Sequence, residues 1–257
     1  MKSIKNVVMN ENIEKAAEIL RGSRKIVAFT GAGISVESGI PPFRGEGGIW
    51  NRYDPDLLEL DYYYSHTEES WKAIKEIFFD FFSNNKIRPN AGHEVLVKWE
   101  QEDRLMCVIT QNIDDLHHIA GSKTVYEFHG NSSRFVCRKC GRVYSIKDIE
   151  ITEKPALCSH CGTLLKPDFI FFGEGIPEDA YWNSVKAAEN CDVFVIIGTS
   201  GEVSPANMIP GIAKRHGAKI IEINYQPSLY TNSVSDIFIQ GKSGEVLPMI
   251  DAAMRKC

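Results

Sequence analysis

Four of the seven cysteines form two Cys-x-x-Cys pairs, Cys137 with Cys140 and Cys158 with Cys161, with 17 residues between the pairs. That spacing is the two-knuckle pattern of a tetrahedral zinc ribbon. Four thiolates fill the coordination sphere and leave no position for water, so a zinc ion held there is structural and the catalysis lies elsewhere. The competing reading is two redox or free thiol pairs. His160, inside the second pair, is a further donor able to replace a cysteine. Residues 134–166 also carry seven Lys or Arg against three acids, a local excess that permits a weak nucleic-acid contact.

Other candidates follow short apolar runs. Thr30-Gly31-Ala32-Gly33-Ile34-Ser35 places glycines where backbone N–H groups can approach a phosphate at a helix start. The third glycine of G-x-G-x-x-G would fall on Val36 and no lysine follows in P-loop spacing, so a tight structural turn competes. Residues 38–45 (SGIPPFRG) form a loop whose Phe43 and Arg44 could close over a nucleotide. Residues 110–115 (Thr110, Gln111, Asn112, Ile113, Asp114 and Asp115) place amides and carboxylates where open α/β sheets bind ligands, although an Asn/Asp helix cap and turn explains the same residues. His129, beside Gly130, is an imidazole suited to general-base work near pH 7. His66, His93, His117, His118 and His216 show no partner spacing and receive no role.

These groups must be positioned by a scaffold. Ile13, Ala16, Ala17 and Leu20 repeat with helical period, and Gly22 stops the helix. Residues 25–30, 105–110, 193–197 and 220–223 are apolar runs of strand length beside helical segments, the pattern of a parallel sheet. A helix is predicted over 205–215, with Gly217 as its cap. The expected fold is α/β, a Rossmann-like parallel sheet core with a smaller inserted helical and zinc-ribbon domain. Residues 1–45, 91–130 and 167–257 are assigned to the core. The aromatic-rich segment 46–90 and the cysteine segment 131–166 are assigned to the small domain.

Of 257 residues, 43% are hydrophobic and 25% charged, which excludes disorder and fibrous repeats. The net charge of −5 excludes a chain that binds polyanions as a whole, so no sequence-specific nucleic-acid partner is expected. No apolar stretch approaches the roughly 20 residues of a membrane helix. The N-terminal residues lack a signal-peptide pattern, and the expectation is a cytoplasmic protein with no membrane partner.

Taken in order, GAGIS-x-ESGIP-x-FRG (31–45), TQNID-x-LH-x-x-AG (110–121), His129-Gly130, the four cysteines, Phe172-Gly173-Glu174, Gly198-Thr199-Ser200 and Glu222-Ile223-Asn224 resemble the sirtuin family over nearly the whole chain. The resemblance implies an enzyme that consumes NAD to remove acyl groups from protein lysines, yielding nicotinamide, free lysine and an O-acyl-ADP-ribose. It implies NAD as co-substrate and one structural Zn2+ per chain. Gly31, Ala32, Gly33, Ser35, Arg44, Gly198, Thr199, Ser200, Asn224 and Ser243 would line the ADP-ribose, with Phe43 shielding the ribose carbon. Gln111, Asn112, Ile113 and Asp114 would hold the ribose and the nicotinamide carboxamide. His129 is the implied general base, and Asn112 would orient hydroxyls or a water. Phe172, Gly173, Glu174 and Val203 would pair with the backbone of an acyl-lysine peptide, a contact open to many sequences, from chromosomal proteins to metabolic enzymes.

Two features stand apart from the family pattern. Pro42 occupies a position where many members carry an acid, which bears on nicotinamide affinity. The Tyr-x-x-Arg pair of relatives that remove succinyl or malonyl is absent, since no tyrosine lies between Trp71 and Arg88. Ile74, Ile77, Phe78, Phe81 and Phe82 offer apolar area instead, so neutral acyl groups are expected over succinyl; these residues suit helix packing equally well. Two alternatives stand beside the deacylase: ADP-ribosyl transfer or NAD hydrolysis on the same fold, and a non-catalytic NAD-sensing or zinc-ribbon binding module.

Overall fold

The computed structural model describes residues 2–43, 47–81 and 87–256. Its first half runs α1 (Lys2–Gly22), β1 (Ile26–Thr30), α2 (Leu60–Ser65), α3 (Thr67–Ile74), α4 (Ala91–Gln101), β2 (Leu105–Thr110), α5 (Leu116–Ala120), β3 (Val125–Glu127) and β4 (Gly130–Val136). The second half adds β5 (Val143–Ser145), β6 (Lys166–Phe169), α6 (Glu178–Asn190), β7 (Val193–Ile197), α7 (Ile209–Arg215), β8 (Lys219–Asn224), β9 (Ile237–Gln240) and α8 (Ser243–Met254).

Six strands form one sheet in the order β3-β2-β1-β7-β8-β9, and every neighbouring pair is parallel. β1 and β7, at its centre, are buried at every position. That is why they read as unbroken apolar runs: helices cover both faces, and neither face needs polar residues. Ile26, Ala28, Val193 and Val195 pack with Leu20, Leu96, Trp99 and Leu247 of α1, α4 and α8. Val27, Phe29, Phe194 and Ile196 pack with Ala187, Ala188, Ile209 and Ala213 of α6 and α7. The strand order reverses between β1 and β7, which opens a crevice beyond their C-terminal ends.

The helix expected over 205–215 is shorter than its sequence pattern. A 3-10 turn, Ala206–Met208, precedes α7, which begins at Ile209 with Pro210 in its first turn. Proline lacks the N–H that an interior helical position donates, so it belongs at a helix start.

A second, antiparallel sheet has the order β5-β4-β6. Leu58, Tyr63, Trp71, Ile74 and Phe79 from the aromatic-rich segment join Phe135, Cys137, Cys158 and Leu165 from the cysteine segment in one buried cluster, together with Phe169 and Phe171. The helix after α3 widens into a π-turn over Lys75–Asp80, which carries Phe78 to 4.9 Å from the Phe169 ring. Among the described residues no helix is long and apolar enough to cross a membrane.

Candidate active site

The loops that follow β1 and β7 meet backbone to backbone at the crevice. Gly31 N–H donates to the Ile197 carbonyl at 2.9 Å and Gly33 N–H to the Gly198 carbonyl at 2.8 Å. A Cβ on Gly33 would come within 2.5 Å of Gly198 Cα, and one on Gly198, whose φ is +62°, within 2.6 Å of Gly33. Loop-to-loop contact therefore requires these two glycines, and the Gly33 N–H is engaged within the chain. Ala32 and Ser35, on the open side of the same turn, line a cavity of about 20 Å³ with Phe43, Asn112, Ile113 and Asp114, closed by Ile40, Ile49 and Phe78. A larger hollow of about 370 Å³, lined by Tyr144, Asp148, Lys154 and Leu157 among others, contains none of these polar groups.

One hydrogen-bonded chain organises the crevice. Thr30 and Thr110 face each other at the ends of β1 and β2, and the Thr30 hydroxyl donates to Thr110 Oγ1 at 2.9 Å. Thr110 Oγ1 also accepts from Asn112 N–H at 3.0 Å. The Asn112 side-chain amide donates to the Gly31 carbonyl (3.2 Å) and to Ser35 Oγ (3.1 Å), and Ser35 donates to Asp114 Oδ2 at 2.6 Å. The other Asp114 oxygen accepts from Leu116 N–H at 3.0 Å, so one carboxylate both bonds the first N–H of α5, whose N-cap position is Asp115, and lines the cavity. Burial raises the Asp114 pKa above the usual carboxylate range, opposed by the Ser35 and Leu116 hydrogen bonds.

Side-chain amides tie neighbouring loops together. Gln111 Nε2 donates to Thr199 Oγ1 at 3.1 Å, and Asn224 Nδ2 donates to the Thr199 carbonyl at 2.9 Å. The Ser200 carbonyl accepts from Leu229 N–H at 3.1 Å. At the start of α8 the Ser243 hydroxyl is buried and has no partner among the described residues. An orphaned hydroxyl of this kind fits a polar ligand that supplies the missing bond.

His129 sits where the chain leaves the parallel sheet for the antiparallel one. Gly130, with φ of +70°, makes that turn, and a Cβ there would collide with the Asp168 carbonyl. His129 Nδ1 lies 3.1 Å from the Gln111 carbonyl oxygen. A carbonyl can only accept, so Nδ1 carries the proton and Nε2 keeps the lone pair. Burial lowers the His129 pKa below its ordinary value, and the Gln111 carbonyl opposes this only in part. The side chain is therefore a neutral base near pH 7.

Two histidines given no role from sequence lie just behind this chain. His93 and His117 are both buried, their ring centroids 4.9 Å apart, and His117 Nε2 is 2.9 Å from Thr30 Oγ1. Burial pushes the His93 pKa down to about 4 and the His117 pKa well below its ordinary value, so both are neutral. Their contact joins α4 to α5, which no periodicity in the sequence could reveal.

The four cysteine sulfurs lie within 4.8 Å of one another, with Cys137 Sγ 3.4 Å from Cys161 Sγ and Cys140 Sγ 3.7 Å from Cys158 Sγ. Disulfides need roughly 2.05 Å, whereas sulfurs at ~2.3 Å from one tetrahedral zinc stand ~3.8 Å apart. The cluster thus fits Zn2+ and not two thiol pairs, and His160 is outside it. The Tyr144 hydroxyl lies 3.1 Å from Cys158 Sγ and favours its thiolate, holding its pKa down to about 5. The two knuckles share one backbone plan: Gly141 and Gly162, at φ +71° and +69°, donate to the carbonyls of Cys137 and Cys158, both at 2.8 Å. A glycine directly after each Cys-x-x-Cys pair was the available sequence signal for this plan.

Phe172 N–H donates to the Leu58 carbonyl at 2.9 Å and its carbonyl accepts from Leu60 N–H at 3.0 Å, so its backbone pairs within the chain. Glu174 N–H donates to the Phe171 carbonyl at 3.0 Å, with Gly173 at φ +79°, which makes 171–174 a turn. The half-exposed Phe172 ring is 6.2 Å from Trp50, itself 5.5 Å from Phe43. Val203 accepts at its carbonyl from Asn207 N–H at 2.9 Å. Ile74 and Ile77 are buried in the small cluster, whereas Phe78 also reaches the cavity. Arg44 and Phe82 lie outside the described residues.

The model of the Sir2 family matches residues 31–205. A curated relative, NAD-dependent protein deacylase 2 of Pyrobaculum aerophilum, is 45% identical over 91% of this chain and 92% of its own. A solved Sir2 homologue–NAD complex has a TM-score of 0.84 at 36% identity, covering 93% of each chain. A His-to-Ala Sir2 variant with a deacetylated p53 peptide and 3'-O-acetyl ADP-ribose has a TM-score of 0.86 at 33% identity, covering 93% of this chain and 97% of the other.

Proposed function

The chain belongs to the Sir2 family, and from that premise we propose how its own residues carry out the reaction. It is an NAD-dependent protein-lysine deacylase: acyl-lysine, NAD and water give lysine, nicotinamide and O-acyl-ADP-ribose. The observation that carries the assignment of roles is His129, a neutral imidazole with Nδ1–H fixed on the Gln111 carbonyl and Nε2 left as the base.

NAD supplies an electrophilic ribose carbon with nicotinamide as its leaving group. His129 Nε2 accepts a proton from a ribose hydroxyl, freeing that oxygen to take the acyl group from lysine. Ala32, Ser35, Phe43, Asn112, Ile113 and Asp114 hold the reacting end of NAD, because they share the cavity at the strand-order reversal. Gly198, Thr199, Ser200, Asn224 and Ser243 hold the rest, with Arg44 on the pyrophosphate. Support for Ser243 is its orphaned hydroxyl. Gly31, Gly33 and Gln111 contribute by setting the loops. Phe43 excludes water, backed by Trp50.

The peptide pairs with backbone at Gly173, the Glu174 carbonyl and the Val203 N–H, and Phe172 contributes its exposed ring, since its own N–H and carbonyl, like the Glu174 N–H and the Val203 carbonyl, are engaged within the chain. Acetyl and longer neutral acyl groups are preferred over succinyl. Supporting this, Phe78 lies with Ile40, Phe43, Ile49 and Ile113 around the cavity, and a charged succinyl group beside such apolar side chains would lose hydration without a described cation to pair with. Segments 46–90 and 131–166 act as one small domain over the crevice, a reading supported by their shared buried cluster. The protein acts in the cytoplasm, on acyl-lysine proteins.

Mass spectrometry of an acetyl-lysine peptide incubated with and without NAD tests this. Deacetylated peptide only with NAD, beside equal nicotinamide and acetyl-ADP-ribose, is the expected result. Nicotinamide and free ADP-ribose with the peptide still acetylated would instead make the protein an NAD hydrolase. Faster removal of succinyl than of acetyl from the same peptide would overturn the acyl preference.

A further inference from the structure

The reaction leaves one buried cation unused. Lys166, at the start of β6, is 1% exposed, yet each of its three ammonium hydrogens has an acceptor. Nζ donates to the carbonyls of Pro167 (2.8 Å) and Phe169 (2.6 Å) and pairs with Glu174 Oε2 at 2.9 Å, with the Phe171 ring centroid 4.3 Å away. Glu174 Oε2 also accepts from Phe171 N–H at 3.0 Å. The carboxylate therefore closes the 171–174 turn from the side-chain end, while its own N–H closes it from the backbone. Its second oxygen, Oε1, is 2.7 Å from Nη1 of Arg138. Arg138 lies between Cys137 and Cys140, inside the first zinc knuckle.

We propose that Lys166, Glu174 and Arg138 form a positioning triad that sets the substrate-facing turn from the zinc knuckle, so that affinity for the acyl-lysine peptide depends on it and affinity for NAD does not. The inference rests on the reading above that this turn receives the peptide. Two charges in the triad are buried and paired, so the turn has one conformation only while both cations stay in place. Lys166 anchors it from β6. Arg138 anchors it from a loop whose backbone is held by the cysteines, and it is half exposed, so replacing it leaves no buried cavity.

Steady-state kinetics on Arg138→Met, Arg138→Lys and Gly173→Ala in the full-length, zinc-loaded protein test the triad. Zinc per chain, measured by a colorimetric thiol-displacement assay, and melting temperature are read alongside. Arg138→Met is expected to raise KM for an acetyl-lysine peptide about tenfold while kcat, KM for NAD and zinc content stay within twofold. Arg138→Lys should recover part of the loss. Gly173→Ala, which strains the turn at a positive φ, should also raise peptide KM. An unchanged peptide KM for Arg138→Met, with the Gly173→Ala effect present, overturns the triad and leaves the peptide site standing. An effect in neither variant overturns both. Equal rises in the KM of peptide and NAD also overturn it, since the contact would then support the whole crevice. A wild-type protein that leaves the peptide acylated removes the premise itself, and the triad with it.

Discussion

The parallel core and the small cluster beside it are built on different principles. In the core, β1 and β7 are buried at every residue and lie between two helical layers, so apolar burial alone specifies them. In the small module, β5 is exposed at both ends, β4 carries a register shift against β6, and two of the buried cluster members are the cysteines Cys137 and Cys158. This short sheet packs on an aromatic cluster, and a metal held by the four cysteines adds to its stability. The lesson is that the two regions are held differently, by apolar burial in the core and by apolar burial together with a cysteine cluster that fits zinc in the module.

Zinc removal should separate the two most sharply. Structural zinc contributes about 10–16 kcal/mol of apparent binding free energy in small zinc modules, and here it is the folding energy of the ribbon. Chelation, or a Cys137→Ser/Cys158→Ser variant, should deprotect amides of β4 and β5 in hydrogen exchange while β1 and β7 stay protected. Loss of protection in β1 as well would break the comparison and make the chain a single folding unit.

Next in size is His129→Ala. Removal of a positioned base costs about 10²–10⁴-fold in rate. The variant should lose that factor in kcat yet bind NAD by calorimetry as wild type does. In the wild type, the lowered His129 pKa places the acid limb of kcat/KM below pH 6.5, because the base must be deprotonated to act. An acid limb centred above 6.5 would contradict the buried, neutral imidazole.

Stability against pH should carry a contribution from two buried histidines of the core. His93 and His117 bind protons near 6.5 when unfolded, whereas folded His93 does so only at about 4 and folded His117 well below its ordinary value. The unfolded state therefore binds more protons between these values. Stability is fully present above 6.5 and declines as pH falls from 6.5 toward 4. Urea midpoints at pH 7, 6, 5 and 4 check this, and a His93→Gln variant should show a shallower decline.

The smallest contrast concerns two glycines. Gly33→Ala forces a methyl against Gly198 backbone and should cost about 1–3 kcal/mol, as overpacking does. Gly141→Ala has open space around it and meets only the positive-φ penalty of about 1–2 kcal/mol. Chemical denaturation of both, with zinc present, should place Gly33→Ala as the more costly; the reverse order would mean that the knuckle is the tighter of the two regions.

Much of this was legible in residue order. The zinc ligands, the central strands and His129 each have a local signature: a spacing, an apolar run, a residue beside a glycine. β9 was not anticipated, because its partly buried edge position gives IFIQ a mixed pattern. The roles of Gly31 and Gly33 were open between phosphate contact and tight turn, and loop packing against Gly198 decides what their backbones do. Residues 110–115 were weighed as a helix cap and turn or as site residues; Asp115 takes the N-cap position of α5, while Asp114 bonds Leu116 N–H and Ser35 and lines the cavity. His93, His117 and Lys166 had no local signal at all.

The sequence by itself determined the period of its helices, the strands of the central sheet, the metal and the order of the chemical groups, because each depends on neighbours within a few residues. Tertiary structure alone decided which loops touch at the strand-order reversal, which nitrogen of His129 holds the proton, and where the buried Lys166 finds its acceptors. Those outcomes depend on groups far apart in the chain, and burial and hydrogen-bond geometry exist only once the sheet has brought them together.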